Sequence, residues 1–175
     1  MSLTTSLIVN AVVLALVLAF DLGRRTFDNK AVVRSAIICG AVALLFVKDF
    51  YTDGVGLTVE IIGVALGALI GLLAVSLMKV DKHPDNTVHT VAGAGYAVVW
   101  AGMAVARSLL SLGMTYWFGT AVGTWLVKQG AAPTDITGLV TNFLVFMAVA
   151  ALLTRTLTIR ARAAAIPHAP SATAV

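Results

Sequence analysis

Residues 56–78 form an apolar run of 23 residues in which Glu60 is the only ionisable side chain. At about 1.5 Å of rise per residue, a helix of this length crosses a hydrocarbon core of about 30 Å with some tilt. Gly63, Gly67 and Gly71 recur every four residues and share a helix face with Glu60. Such a face allows another helix to approach closely, so we expect Glu60 to face protein rather than lipid.

The composition is that of a polytopic membrane protein. Of the 175 residues, 59% are hydrophobic and 11% are charged, whereas soluble domains carry about 25% charged residues. The net charge of +4 is spread between apolar runs without interleaved aromatic residues, so we expect no nucleic-acid partner. The single cysteine, Cys39, excludes an intrachain disulfide. The sequence has no recognisable spacing of metal ligands, and we expect neither a metal nor another cofactor.

The apolar runs predict an all-α membrane protein, a five-helix transmembrane bundle in one domain over residues 1–162. Residues 114–128 would be only about 22 Å long as a helix, so we expect them to form an extra interfacial or re-entrant helix. The polar segment 79–89 is predicted to be a loop, and the Ala- and Pro-rich residues 163–175 a disordered cytoplasmic tail. The predicted spans are residues 3–20, 31–50, 56–78, 90–112 and 134–154.

The basic residues orient this bundle. Nine of the 12 Lys and Arg residues fall on one side, Lys48 and Lys128 fall on the other, and Arg107 lies within a span. This asymmetry predicts a multi-pass membrane protein with its N-terminus out and its C-terminus in. A sixth span at 114–128 would reverse the side of the C-terminal arginines, which argues against it.

The predicted topology gathers polar side chains in the outer half of the bundle. Glu60 lies about 6 Å below the outer end of its span, and Arg107 is placed at a similar depth in the next span. Three interpretations of these two residues stay open: a structural clamp between two buried charges, a functional pocket, or two side chains that do not meet. Glu60 and Asp49 are the candidate catalytic residues. The candidate ligand-binding residues are Asp53, Trp100, Arg107, Tyr116, Trp117, Asp135 and Asn142.

The middle of the chain resembles a known family. The resemblance rests on Arg24 and Arg25 after the first span, the glycine-rich third span, the segment KVDKHPDNTVH and the following GYAVVWAGMAVAR. Over about residues 7–112 these features are similar to the CcdC-type small membrane proteins of bacteria. The resemblance implies four or five spans in the bacterial cytoplasmic membrane and a role for Arg107. It does not extend to residues 114–175, and the lone Cys39 gives no support for thiol chemistry.

Three classes of function follow from these patterns. The first is binding or transport of a small or amphiphilic ligand in an outward-facing intramembrane pocket. The second is a membrane enzyme that acts on a lipid or isoprenoid, with Glu60 or Asp49 as acid or base. The third is an accessory or assembly subunit, in which the glycine face of the third span docks a partner helix or a second copy.

Overall fold

The protein is described by a computed structural model, which covers most of the chain after residue 21. The described residues are 8, 11, 12, 14, 15, 17–19, 22–26, 29–47, 51, 54–82 and 87–166. Those within the predicted first span are helical, and Leu14, Val17 and Leu18 pack against the buried core. The rest of that span, Asp49, Asp53 and most of the predicted tail lie outside the described residues.

The described residues form helices and one small sheet. The prediction of a mostly helical protein is confirmed, but the fold is not all-α, because three short strands accompany the helices. The helices are α1 (Asn29–Phe46), α2 (Gly54–Ser76), α3 (Ala94–Tyr116), α4 (Gly119–Lys128) and α5 (Ile136–Ala165). The strands are β1 (Gly23–Thr26), β2 (Met78–Lys82) and β3 (Val88–Ala92).

Three of the helices, α2, α3 and α5, are long and apolar enough to cross a membrane. In α1, the apolar stretch Ser35–Leu44 is shorter. Large apolar side chains on α2 point away from the protein, and Ile61, Leu69 and Leu73 are all exposed. An exposed apolar surface of this kind is typical of a helix that faces lipid. The fold is thus compatible with the membrane protein predicted from the sequence.

The sheet replaces the loop predicted at residues 79–89. Its central strand is β3, which pairs antiparallel with β1 on one side and with β2 on the other. Side chains alternate between the two faces of a sheet, and one face is buried through Met78, Thr90 and Ala92. The alternation of side chains in β2 and β3 is short, and β1 lies more than sixty residues before β3, the strand with which it pairs. Local patterns therefore gave little sign of this sheet.

Helices α2 and α5 are the most extensively packed pair in the described part of the chain. They run parallel, because rising positions in α2 meet rising positions in α5. A Cβ on Gly63 would lie 2.8 Å from the carbonyl oxygen of Phe143, and one on Gly71 would lie 2.5 Å from that of Ala151. The glycine face of α2, which also buries Glu60, is therefore covered by a helix of the same chain. This confirms that Glu60 faces protein.

The parallel pair constrains the path of the chain between its members. The end of α2 and the start of α5 lie at opposite ends of the pair, and α3 is the one long described helix between them. Helix α4 has ten residues, or about 15 Å, which is too short to cross a core of about 30 Å. The helix predicted at 114–128 begins later, at Gly119, because α3 continues to Tyr116.

The close contact of α2 and α5 predicts that Gly67→Ala destabilises the protein. The added Cβ would collide with the carbonyl oxygen of Met147, and overpacking of this kind typically costs about 1–3 kcal/mol. The matched control is Gly102→Ala on α3, whose Cβ would meet nothing within 4 Å. Thermal unfolding in mild detergent should show a lower midpoint for Gly67→Ala and an unchanged or higher midpoint for Gly102→Ala. Equal midpoints for the two variants would contradict the packing.

Candidate functional site

Glu60 lies in a hydrogen-bond network that joins α2 to α5. The Nδ2 of Asn142 donates to the Oε1 of Glu60 at 2.8 Å, and the two side chains are 8% and 2% exposed. The backbone N–H of Tyr51 donates to the same oxygen at 3.4 Å. Two donors therefore hold a carboxylate oxygen within an otherwise apolar helix pair, where an unsatisfied acceptor would be costly.

Tyr51 connects the starts of α2 and α5. Its hydroxyl donates to the carbonyl oxygen of Asp135 at 3.5 Å. Its side chain fits against two glycines: a Cβ on Gly138 would lie 2.7 Å from the hydroxyl oxygen, and one on Gly56 would collide with the tyrosine side chain. Tyr51 is not among the residues predicted from the sequence. The available signal was a small residue at the start of each helix, Gly56 and Gly138, which leaves room for an aromatic ring.

The network contains some of the residues predicted to converge on Glu60. Asn142 contacts Glu60 directly, and Asp135 joins through its backbone carbonyl. The carboxylate of Asp135 accepts instead from the hydroxyl of Thr134 at 3.0 Å. The structure thus brings together the early turns of α2 and α5, as their parallel packing requires.

Arg107 does not join this network. Within the described part of the chain, Glu60 is hydrogen-bonded to Asn142 and Tyr51, no ion pair links it to Arg107, and the buried Nε of Arg107 has no hydrogen-bond partner. The expected Glu60–Arg107 pair is therefore not formed.

The length of α3 explains the difference. Because α3 ends at Tyr116 rather than near residue 112, Arg107 lies nine residues, or about 14 Å, before its end. It is close to the middle of the helix. Glu60 lies only six residues, or about 9 Å, after the start of α2. Glu60 also lies on the face of α2 that α5 covers, so α5 supplies its partner.

A second buried cluster lies towards the start of α3. Trp100 is 4% exposed, and its ring centroid is 6.1 Å from that of Tyr96, with the planes inclined by 55°. The guanidinium carbon of Arg155 lies 5.6 Å from the centroid of the Tyr96 ring, a cation–π distance. Trp100 therefore packs near the sheet end of α3, whereas the sequence analysis placed it in an outer pocket.

Arg155 is the member of this cluster that the sequence analysis missed. The predicted fifth span ended at residue 154, but α5 continues to Ala165 and buries both Arg155 and Ile159. The signal was the helical spacing of small and apolar residues, which continues past residue 154. The basic residues that follow the span made this stretch look like a solvated flank.

The two aromatic residues at the junction of α3 and α4 take no part in these clusters. Tyr116 is 68% exposed and Trp117 is 75% exposed. Among the described residues, no group of three His, Cys, Asp or Glu side chains is placed to hold a metal ion. Cys39 is buried, with its Sγ 4.0 Å from the carbonyl oxygen of Val149.

Comparisons with known proteins leave the site to be interpreted from its own chemistry. No known protein family, curated protein or solved structure matches the chain. The resemblance to the CcdC-type proteins stays a prediction.

The geometry predicts energetic coupling between Glu60 and Asn142 but not between Glu60 and Arg107. In a double-mutant cycle, Glu60→Met and Asn142→Leu should couple by about 1 kcal/mol. Either single substitution already removes the hydrogen bond between the two side chains, so the double variant loses no further bond between them. The same cycle with Arg107→Met in place of Asn142→Leu should give additive effects. Unfolding midpoints in detergent measure both cycles, and stronger coupling to Arg107 would show that the network is misassigned.

Proposed function

We propose that the protein is a multi-pass membrane protein of the bacterial cytoplasmic membrane that binds a small or amphiphilic ligand through Arg107. The observation that carries this proposal is the buried Nε of Arg107, which has no hydrogen-bond partner in the described part of the structure. A cation near the middle of a candidate span is costly unless an acceptor satisfies it. Ionisable residues in such positions generally mark a path or site for a ligand or ion.

The chemistry of the neighbouring side chain supports an acidic ligand. Trp100 lies seven residues before Arg107, two helical turns away on the same side of α3, and its buried Nε1 also has no partner among the described residues. The indole nitrogen and the guanidinium are both donors only. A carboxylate or phosphate would satisfy such donors, whereas an amine or a purely apolar molecule would not.

The distance between these donors supports an elongated ligand. Seven residues of helix correspond to about 10 Å along the axis of α3. A compact ion cannot extend over both positions, but a molecule with an acidic headgroup and a longer body can. We therefore favour an amphiphile over a small inorganic anion.

Glu60 has a structural role in this proposal. Its contacts with Asn142 and Tyr51 hold α2 to α5 and leave Arg107 as the charge available to a ligand. A membrane enzyme that uses Glu60 or Asp49 as acid or base, and an accessory subunit, remain the alternatives. Neither has an observation comparable to the buried donors of α3.

We also propose five spans, with the N-terminus outside and α4 at the outer interface. The parallel arrangement of α2 and α5, with one crossing between them, supports this topology. Exposed Tyr116, Trp117 and Trp125 near α4 are the residue types that favour the headgroup level.

Cysteine accessibility tests the topology. In a Cys39→Ser background, Lys128→Cys should react with a membrane-impermeant maleimide in intact cells. Arg160→Cys should react only after permeabilisation, because α5 carries the chain to the other side. Both native side chains are exposed, so the folded protein should not shield either cysteine from the maleimide. Labelling of both positions from the same side would contradict the topology.

Ligand binding is tested by Arg107→Gln. With oleate as an acidic probe and oleylamine as a basic one, the native protein in neutral detergent should bind the acid preferentially. Arg107→Gln should weaken oleate binding at least tenfold, because a charged hydrogen bond contributes about 1.5–3 kcal/mol. Trp100→Phe should weaken it less, and Arg160→Gln, an exposed arginine on α5, should not change it. Native mass spectrometry and thermal shift measure the preference for oleate over oleylamine and the oleate binding of each variant.

The unliganded stability of the same variant separates a ligand site from a structural charge. Removing an unpartnered buried cation should leave the melting temperature of the empty protein unchanged or raise it. A large destabilisation of empty Arg107→Gln, or equal binding of oleate and oleylamine, would overturn the proposal.

A further inference from the structure

The outer face of the sheet is polar and basic, opposite to the face that packs on the helices. In the strand register, Val91 of the central strand lies between Arg24 and Lys79. Residues paired across an antiparallel sheet share a face, so Arg24 and Lys79 lie on the same face, one on each side of Val91. The two backbone positions are two strand spacings, or about 10 Å, apart. Both side chains are exposed.

The next row on this face is also polar. His89 of β3 lies between Thr26 and Asp81. The buried face, in contrast, contains Met78 and Ala92, which are 4% and 3% exposed. One face is thus fixed to the bundle, with the exposed Arg25 at its edge in register with Thr90, and the other face carries the pair Arg24 and Lys79.

The position of the sheet fixes its depth relative to the candidate spans. Strand β2 begins at Met78, two residues after α2 ends, and β3 ends at Ala92, two residues before α3 begins. Two helices that cross the hydrocarbon core therefore end at the sheet, so it lies at the level of the lipid headgroups.

Helix α5 adds further cations at this level. It has 30 residues, seven more than α2, and it contacts β2. Arg162 donates from Nη1 to the carbonyl oxygen of Val75 at 3.0 Å, which ties the end of α5 to the last turn of α2. Arg160 is exposed nearby on α5. Asp81 is the one described carboxylate in the sheet.

We propose that the outer face of the sheet, with Arg24 and Lys79 as its principal contacts, binds the phosphate of anionic phospholipid headgroups. The charge of the face is complementary to such lipids, and its depth brings it to their phosphates. Juxtamembrane cations bind anionic lipids in this way. A nucleic acid would also be attracted by charge, but the described residues of this face include no exposed aromatic side chain on which bases stack. The site is separate from Arg107 and needs only the membrane placement proposed above.

The test uses the full chain in neutral detergent, with phosphatidylglycerol and phosphatidylcholine as probes. Native mass spectrometry should show at least tenfold preference for phosphatidylglycerol. Arg24→Gln and Lys79→Gln should each weaken its binding about fivefold, and the double variant about 25-fold, the effect expected for surface cations near lipid. Lys128→Gln, an exposed cation at the other end, is the matched control and should not change the binding. At about 1 M salt the preference should disappear, because the Debye length falls to about 3 Å.

Two further variants keep the result interpretable. If the double Gln variant melts earlier without lipid, the charge-preserving double variant Arg24→Lys with Lys79→Arg must still prefer phosphatidylglycerol. Because phosphatidylglycerol also has the chemistry proposed for the ligand of Arg107, the measurement is repeated in an Arg107→Gln background. There Arg24→Gln and Lys79→Gln must still each weaken its binding about fivefold, which separates this site from the ligand site on α3. Equal binding of the two lipids, an equal loss in Lys128→Gln, or tighter binding of a single-stranded oligonucleotide would overturn the proposal.

Discussion

The backbone contact between α2 and α5 is the constraint on which the rest of the structure depends. Gly63, Gly67 and Gly71 leave no side chain between the helices, so the carbonyl oxygens of α5 approach the α2 backbone directly. Without a hydrophobic driving force between helices in lipid, close packing and interhelical hydrogen bonds supply most of the association energy. The parallel direction of the pair then requires α3 to return the chain to the end at which α2 and α5 begin.

This contact also separates the two intramembrane charges. Glu60 lies on the glycine face and takes its partner from α5, the bond donated by Asn142. Arg107, on a different helix and at a different depth, keeps a buried donor without a partner in the described residues. Glu60, which is hydrogen-bonded, has a structural role, and Arg107 is the candidate for ligand binding. Opposite charges in neighbouring spans therefore do not by themselves indicate a pair.

The sequence predicts the parts of this molecule that depend on local pattern. The glycine spacing locates the buried face of α2 and places Glu60 on it, and hydropathy locates the three helices long enough to span. Prediction from the sequence fails where contacting residues are far apart in the chain, or where a helix continues beyond its predicted end. The pairing of Arg24 with Val91 depends on a contact between remote segments. Arg155 follows an apolar run and looks solvated, yet α5 continues and buries it beside Tyr96. Arg107 lies deeper than predicted for the same reason, because α3 continues to Tyr116.

The parallel direction of α2 and α5 can be measured by distance between spin labels in a Cys39→Ser background. Labels at Leu57 and Thr137, near the starts of the two helices, should lie within about 20 Å of each other, the helix separation plus the label arms. Labels at Leu57 and Arg160 should be at least about 30 Å apart, from the rise along α5. The reverse order of the two distances would mean that the helices are antiparallel, and the glycine contact, the path through α3 and the separation of Glu60 from Arg107 would all have to be abandoned.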